Sequence, residues 1–384
     1  MQGRAPPAAR CFTKCCKVGP HFGYHPEPEK LHYICPLADE AAARAAFEAE
    51  GYTKVSFCRG HRYVGGFVGS KAMRDRWIEP KIEEWVHGVK ELSKVAQRYP
   101  QTAYAGFTQS LQSEWQYISH CVAGVEEFLQ PVEDAIREYF LPAILQEPTD
   151  NIYDEFCTLL GHGVKQGGIN VRNPTLTASR LFENSEAACA ALVGCILSDE
   201  ALDLRAHAQC VRQASTETRK LRVDEESEFV KGLVAVAPKG LKQRLARVGK
   251  VGAWKMVTPS RLNGTLLSRE EFFDNMRLSY GMRPHDLCER CDGCGAGFSV
   301  EHGLSCKKGG LVCQRHDDAR DEAGALCAMA LTDSRVSYEP FIYYGKDNCA
   351  NLETETAQPP SKNLSKDKAR GDVAVHGLWE KGRT

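Results

Sequence analysis

The sequence predicts an α+β protein that is mostly helical, and three observations carry that expectation. Apolar residues recur at steps of three and four through a long middle portion, short alternating runs lie near the two ends, and a Cys/His cluster with metal-ligand spacing separates the helices from the C-terminal part. These divide the 384 residues into a small N-terminal mixed α/β unit (1–75), a helical middle (76–287), a zinc knuckle (288–314) and an α/β C-terminal portion (315–384).

The first 38 residues are rich in Pro, Gly and Cys and lead into the strand-like His32-Tyr33-Ile34-Cys35. An alanine-rich stretch from Asp39 to Glu50 predicts a short helix. Tyr52–Phe57 alternates in the manner of a strand, and Arg62–Gly69 is a second apolar run whose glycines permit turning. Cys11, Cys15 and Cys16, with His21 and His25 nearby, have no spacing that suits a metal and read as incidental.

From Trp77 the period becomes helical. Ile78, Ile82, Trp85, Val86, Val89, Leu92 and Val95 form one stripe, Tyr104, Phe107, Leu111, Trp115 and Ile118 a second, and Val125, Phe128, Leu129, Val132, Ile136 and Phe140 a third in which Pro131 should kink or delay the helix. Gly161–Ile169 has the glycines of a phosphate loop, but its lysine precedes the glycine pair and no Gly-Lys-Ser/Thr follows, so a turn is the expectation. Helices resume from Leu176 to about Leu221, continue through Glu225 to Val234 and end in a basic segment from Lys239. Ser268-Arg-Glu-Glu271 spells a capping box for a helix through Phe272 and Met276. Beyond the knuckle, an alanine-rich helix from Arg320 to Leu331 precedes strand-like Val336–Tyr344. A polar loop over 351–367 follows, and Val373 and Val375 then suggest a hairpin.

Composition bounds the function classes. Hydrophobic residues make up 42% and charged residues 26%, as in an ordinary globular protein, and a formal net charge of −1 excludes a global field for polyanions. Any nucleic-acid contact must therefore be local. The cluster Lys239, Lys242, Arg244, Arg247, Lys250 and Lys255 is either such a surface or a solvated helix face. Seventeen cysteines, odd in number and scattered, fit a reducing intracellular compartment with one metal site better than a disulfide framework. No apolar run of the length needed to cross a bilayer is evident, so no membrane partner is expected.

The most informative stretch is Cys291-x2-Cys294-x7-His302-x3-Cys306. Two cysteines two residues apart on a tight knuckle aim both sulfurs at one point, and a His and a Cys one helical turn apart complete a four-coordinate set. A closed N/S site of this kind is structural, with zinc as the expected ion; the competing reading is ordinary buried thiols beside a loop histidine.

Three segments together resemble the C-terminal part of reverse-transcriptase polyproteins of non-LTR retroelements. They are Gly19–Gly69 with Gly23-Tyr24, Lys30 and Arg62-Tyr63-Val64-Gly65-Gly66; the knuckle with Gly309-Gly310; and Arg315-His316-Asp317 through Asp372. The resemblance implies a palm edge and thumb, a CCHC knuckle, and the start of a restriction-like endonuclease, so that the C-terminal portion would be a partial α/β nuclease-like fold. With it, the basic run becomes a candidate phosphate contact through Lys239, Lys242, Arg244, Arg247 and Lys250, and Arg315 and His316 either act near DNA phosphate or belong to a helix start, Arg315-His316-Asp317, that packs on the knuckle. RNA or DNA is the expected partner, and a separately encoded polymerase palm is a second candidate.

Departures from the family pattern matter equally. No Tyr-x-Asp-Asp occurs, so polymerisation by this chain alone is not expected. Asp372 is either the first catalytic carboxylate of the nuclease or a turn aspartate after Gly371, with Glu339 as an accessory acid and Glu380-Lys381 close behind. Magnesium enters only if that nuclease is complete. The expectation is a fragment with zinc-dependent nucleic-acid binding; the alternative is a non-catalytic helical module that presents its knuckle to another protein.

Overall fold

The computed structural model describes residues 5–198, 200–308, 311–331, 335–339 and 371–376. The chain forms two compact units, Met1–Pro284 and His285–Thr384. The four parts read from the sequence thus fall two into each unit.

The first unit opens with α1 (Ala5–Val18), a helix absent from the sequence expectation. Pro6 and Pro7 occupy its first turn, where a proline costs no helical hydrogen bond. Then follow β1 (His32–Ile34), α2 (Glu40–Ala49) and β2 (Ser56–Cys58), with β2 parallel to β1, and the antiparallel hairpin β3 (Gly60–Tyr63) and β4 (Gly66–Gly69). Val64 and Gly65 turn the hairpin with positive φ (47° and 81°). A small core of Ala8, Ala9, Phe12, Tyr33, Ala43, Phe47 and Val55 joins α1, α2 and the parallel pair.

The main core is helical. It gathers α3 (Lys71–Ala96), α4 (Pro100–Gly106), α5 (Gln112–Cys121), α6 (Gln130–Ala135), α7 (Leu141–Leu145) and α8 (Asp154–Gly161) around Ile78, Trp85, Phe107, Trp115, Leu129 and Phe140. Most of each apolar stripe is buried here; Val86, Leu92, Leu111 and Phe128 pack against the core only half-buried, and Val95 is exposed. Pro131 starts α6 rather than kinking it, because it sits in the first turn. Two π-helical segments, Phe107–Leu111 and Ile136–Phe140, link α4 to α5 and α6 to α7. They rotate the apolar face enough to stack Phe107 on Phe140 with ring centroids 4.2 Å apart.

The helices expected from Leu176 to Val234 form a hairpin, α9 (Pro174–Ser198) and α10 (Leu204–Val236), whose break between Ser198 and Leu204 the sequence reading did not place. Asp203 caps α10 by accepting from the amides of Arg205 and Ala206, which accounts for the break. Arg180 pairs with Glu225 and Asn184 accepts from Thr218, so the two run antiparallel. One feature departs from the sequence reading: α9, 25 residues, contains a stretch of mean hydropathy 1.3 and is long and apolar enough by length and composition to cross a bilayer. Leu192, Val193, Ile196 and Leu197 contribute much of that hydropathy, and none of the stretch is buried, although the helix runs beside α5 and α10.

Two further helices close the unit, α11 (Lys239–Val251) and α12 (Arg269–Ser279). The capping box forms as spelled: Ser268 Oγ accepts from the Glu271 amide at 3.1 Å and the Glu271 carboxylate accepts from the Ser268 amide at 2.7 Å. The turn expected at Gly161–Ile169 is also present. Ile169 N–H donates to Leu160, Asn170 N–H donates to His162, and Gly167 takes φ 91°.

The second unit contains the knuckle, α13 (Val300–Ser305), α14 (Leu311–Ala330) and the antiparallel pair β5 (Arg335–Tyr338) and β6 (Val373–His376). α14 begins earlier than expected and includes Arg315-His316-Asp317. Val373 and Val375 pair with the upstream Tyr338 and Val336, so the hairpin partner precedes β6. The Val336–Tyr344 run beyond residue 339, the loop over 351–367, Gly309-Gly310, Gly377 and Glu380-Lys381 lie outside the described residues.

Candidate metal centre

A short loop places the first two ligands. Gly295 N–H donates to the Cys291 carbonyl at 2.7 Å and Cys291 N–H donates to Ala296 at 2.8 Å, with Gly295 at φ 72° where a side chain would be strained. Phe298 N–H donates to Glu289 at 2.9 Å, closing the turn on itself. The other two ligands come from α13. Ser299 caps it by accepting from the His302 amide at 3.1 Å, and Cys306 N–H donates back to the His302 carbonyl at 2.7 Å. The Phe298 ring packs edge-on to His302 and against Gly303, where a methyl group would stand 2.9 Å from it.

The result is a cluster in which the ligand atoms of Cys291, Cys294, His302 and Cys306 all lie within 4.8 Å of one another and could hold a metal ion. Cys291 Sγ stands 3.8 Å from Cys306 Sγ, and Cys294 Sγ stands 3.2 Å from His302 Nε2. Cys291 and Cys306 are buried and the other two half-buried. The Cys294 amide first, then the His302 imidazole, draw the Cys291 thiol down to about 6, so it is a thiolate at neutral pH. At Cys306 the Lys308 backbone pulls the other way, but burial and the nearby Cys294 and Cys291 sulfurs outweigh it and leave that thiol raised. Crowded thiols resist losing a second proton, and a cation among them reverses that balance.

Among the described residues Cys11, Cys15 and Cys16 join no group that could hold a metal.

The basic residues of α11 divide. Lys239, Arg247 and Lys250 are exposed and, at about 100° per residue, share an arc of roughly 80°. Lys242 instead donates to the Ala235 carbonyl at 3.2 Å and Arg244 to Leu278 at 2.8 Å, both half-buried. Lys255 is buried, donates to Tyr280 Oη at 3.2 Å, and is pushed down to about 8 by its burial. Periodicity could not reveal these partners, since each carbonyl or hydroxyl is contributed by a distant or irregular segment.

In the second unit Arg315 and His316 are exposed on α14. His316 Nε2 lies 3.5 Å from the Asp372 carboxylate, which is itself exposed, so the structure brings these two sequence candidates together. Glu339 instead pairs with Arg320, which also holds Asp317 at 3.2 Å and Asp321 at 2.8 Å. Among the described residues Asp372 belongs to no group of three or more ligands that could hold a cation such as magnesium.

One cluster escaped the sequence reading: Arg172, Arg222, Glu226 and His162 line a common cavity in the helical unit. The glycines around His162 were the available signal, but Arg172 follows in a loop and Arg222 lies on another helix.

Comparison with known proteins finds no match: no family model, no curated protein and no solved structure.

Proposed function

We propose that the Cys291/Cys294/His302/Cys306 cluster binds zinc and that the chain acts as a nucleic-acid-binding part of a reverse-transcriptase protein of the non-LTR retroelement kind, without polymerase chemistry of its own. The observation that carries this reading is the convergence of four donor atoms of the zinc type within 4.8 Å. Sulfurs about 2.3 Å from a tetrahedral zinc stand about 3.8 Å apart, which is the Cys291–Cys306 separation of 3.8 Å. The donor set therefore fits. Three cysteines and one histidine fill the coordination sphere, so the ion orders the loop and offers no open position for catalysis.

The ordered knuckle would present its backbone and the exposed face of α13 to a single strand, while Lys239, Arg247 and Lys250 would contact phosphates. Arg315 and His316 would add phosphate contacts on α14, with Asp372 limiting the charge beside His316. Zinc content by elemental analysis, and fluorescence anisotropy with labelled single-stranded RNA and DNA across a salt series, test this on the full chain. The Cys294→Ser/His302→Ala double variant should lose zinc and weaken binding; unchanged values for both would end the proposal.

A second reading, a helical module that docks another protein, is favoured by one observation. Ile196, Leu197 and Leu204 at the tip of the α9–α10 hairpin are 69%, 82% and 72% exposed. Substituting Leu197→Glu should leave nucleic-acid binding intact if the first reading holds.

A further inference from the structure

The helical unit contains a cavity of about 490 Å³ between the α8 end, the following loop, α9 and α10. That volume lies within the range of small-molecule sites, roughly 300–1,000 Å³. Its lining combines apolar Ile136, Leu141, Leu181 and Phe229 with four arginines.

Two of those arginines are committed. Arg137 donates to Glu133 at 2.8 Å and Asp154 at 2.6 Å, and Arg180 holds Glu225 through both terminal nitrogens at 2.7 and 3.0 Å. Arg172 and Arg222 are not so satisfied. Arg172 uses its Nε on Asn170 at 2.9 Å and its amide on Gln112, leaving both terminal nitrogens at the cavity without a hydrogen-bond partner. Arg222 Nε is buried with no hydrogen-bond partner, its nearest carboxylate oxygen, on Glu226, standing 3.7 Å away. Beside them His162 Nδ1 is also buried and unpartnered. Two guanidiniums thus face one carboxylate, and Glu226 already accepts from the Gly163 amide at 3.3 Å. The N-terminus of α9, capped by Asn173, opens on the same space and adds positive potential.

Unpaired buried polar atoms are costly, and Arg222 Nε and His162 Nδ1, beside the open terminal nitrogens of Arg172, mark a place where an acceptor belongs. We propose that this cavity binds a phosphate monoester with an aromatic or apolar body, its phosphate held by Arg172, Arg222 and His162 and its body packed against Phe229. A phosphate dianion matches two guanidiniums in charge and offers three oxygens to three donor groups, which a single carboxylate does not. The field is consistent with this. Burial first, and then Arg222, depress Arg172 below the usual arginine range, so the two cations are close and incompletely neutralised. His162 is held below the usual range by burial, so at neutral pH it carries one ring proton to donate. Phe229 sits edge-on to His162 at 4.9 Å, forming an aromatic wall next to the cations.

The test is calorimetric titration of the full chain with adenosine 5′-monophosphate, with adenosine and with inorganic phosphate. The monophosphate should bind with unit stoichiometry and more tightly than inorganic phosphate, and adenosine should not bind measurably. Arg172→Gln and Arg222→Gln should each weaken binding by about tenfold to a hundredfold, the weight of one charge-assisted hydrogen bond. Leu176→Glu, at an exposed position on the rim, should weaken it by repulsion with no change in melting temperature, which keeps the test valid if an arginine variant is unstable. Cys294→Ser should have no effect, separating this site from the knuckle. Absence of saturation at millimolar monophosphate, or equal binding by the Leu176→Glu variant, overturns the proposal; equal affinity for inorganic phosphate overturns the role of Phe229.

Discussion

Removing the metal from the knuckle should unfold it while the helical unit stays intact. Between residues 288 and 308 only Cys291 and Cys306 are buried. Burying two thiols stabilises by about 2–3 kcal/mol, whereas ordering each backbone residue costs about 1–2 kcal/mol. Structural zinc contributes on the order of 10–16 kcal/mol at neutral pH, so the ion outweighs every other contribution to the order of this loop. The assay is amide hydrogen exchange of the full chain with and without excess chelator, read at the amides of Gly295, Phe298 and Cys306, whose bonds are 2.7, 2.9 and 2.7 Å long. A local loss of even about 3 kcal/mol accelerates exchange more than a hundredfold. Amides in α3 and α12 should not change, because every buried residue of the main core lies at or before Tyr280. Continued protection of Gly295 and Cys306 in metal-free protein would refute the reasoning, since something other than a metal would then be holding the loop.

Three other outcomes follow from the helical unit. Burial lowers Lys255 to about 8 from its ordinary 10.5. The unfolded chain therefore binds more protons between those values, and stability should rise by up to about 3 kcal/mol as pH climbs through that window. Lys255→Met should abolish the rise and stabilise the protein near neutrality, as denaturant melts at two pH values will show. Arg277 is buried, pairs with Glu147 at 2.6 Å and donates to the carbonyls of Leu145, Gln146 and Arg283. Its replacement by Met should cost about 3–5 kcal/mol in chemical denaturation. Neutralising Lys239, Arg247 and Lys250 together should lower the salt dependence of RNA or DNA binding by about two to three counterions in anisotropy titrations. The same change at Lys242 should do little, because its ammonium already serves Ala235.

α9 and the arginines of the cavity show where a linear reading stops. The apolar stretch of α9 reads as a span by length and composition, and only the structure shows the helix running beside α5 and α10 with that stretch left unburied. Arg172 and Arg222 resemble any other arginine in the chain until the fold places both on one cavity, with Arg222 Nε buried and unbonded and the Arg172 guanidinium bonded through Nε alone. The same holds for Arg315-His316-Asp317. Spacing placed these residues after the knuckle, but the pairing of His316 with Asp372 required β6 to fold back beside β5.

By itself the sequence determined what short-range physics controls: the mostly helical α+β class, the three largely buried stripes, the capping box at Ser268 and the four residues of the Cys/His cluster. Each is set by spacing within a few turns of chain, where backbone geometry dictates which side chains meet. Only the tertiary structure decided which residues of the basic run stay exposed. It also decided where the two π-helical segments turn Phe107 onto Phe140, how α9 and α10 fold into a hairpin, and that a cavity with incompletely satisfied guanidiniums lies beside them. These depend on partners far apart in sequence, and burial, which sets the charge and hydrogen-bonding needs of a side chain, exists only once those partners have met.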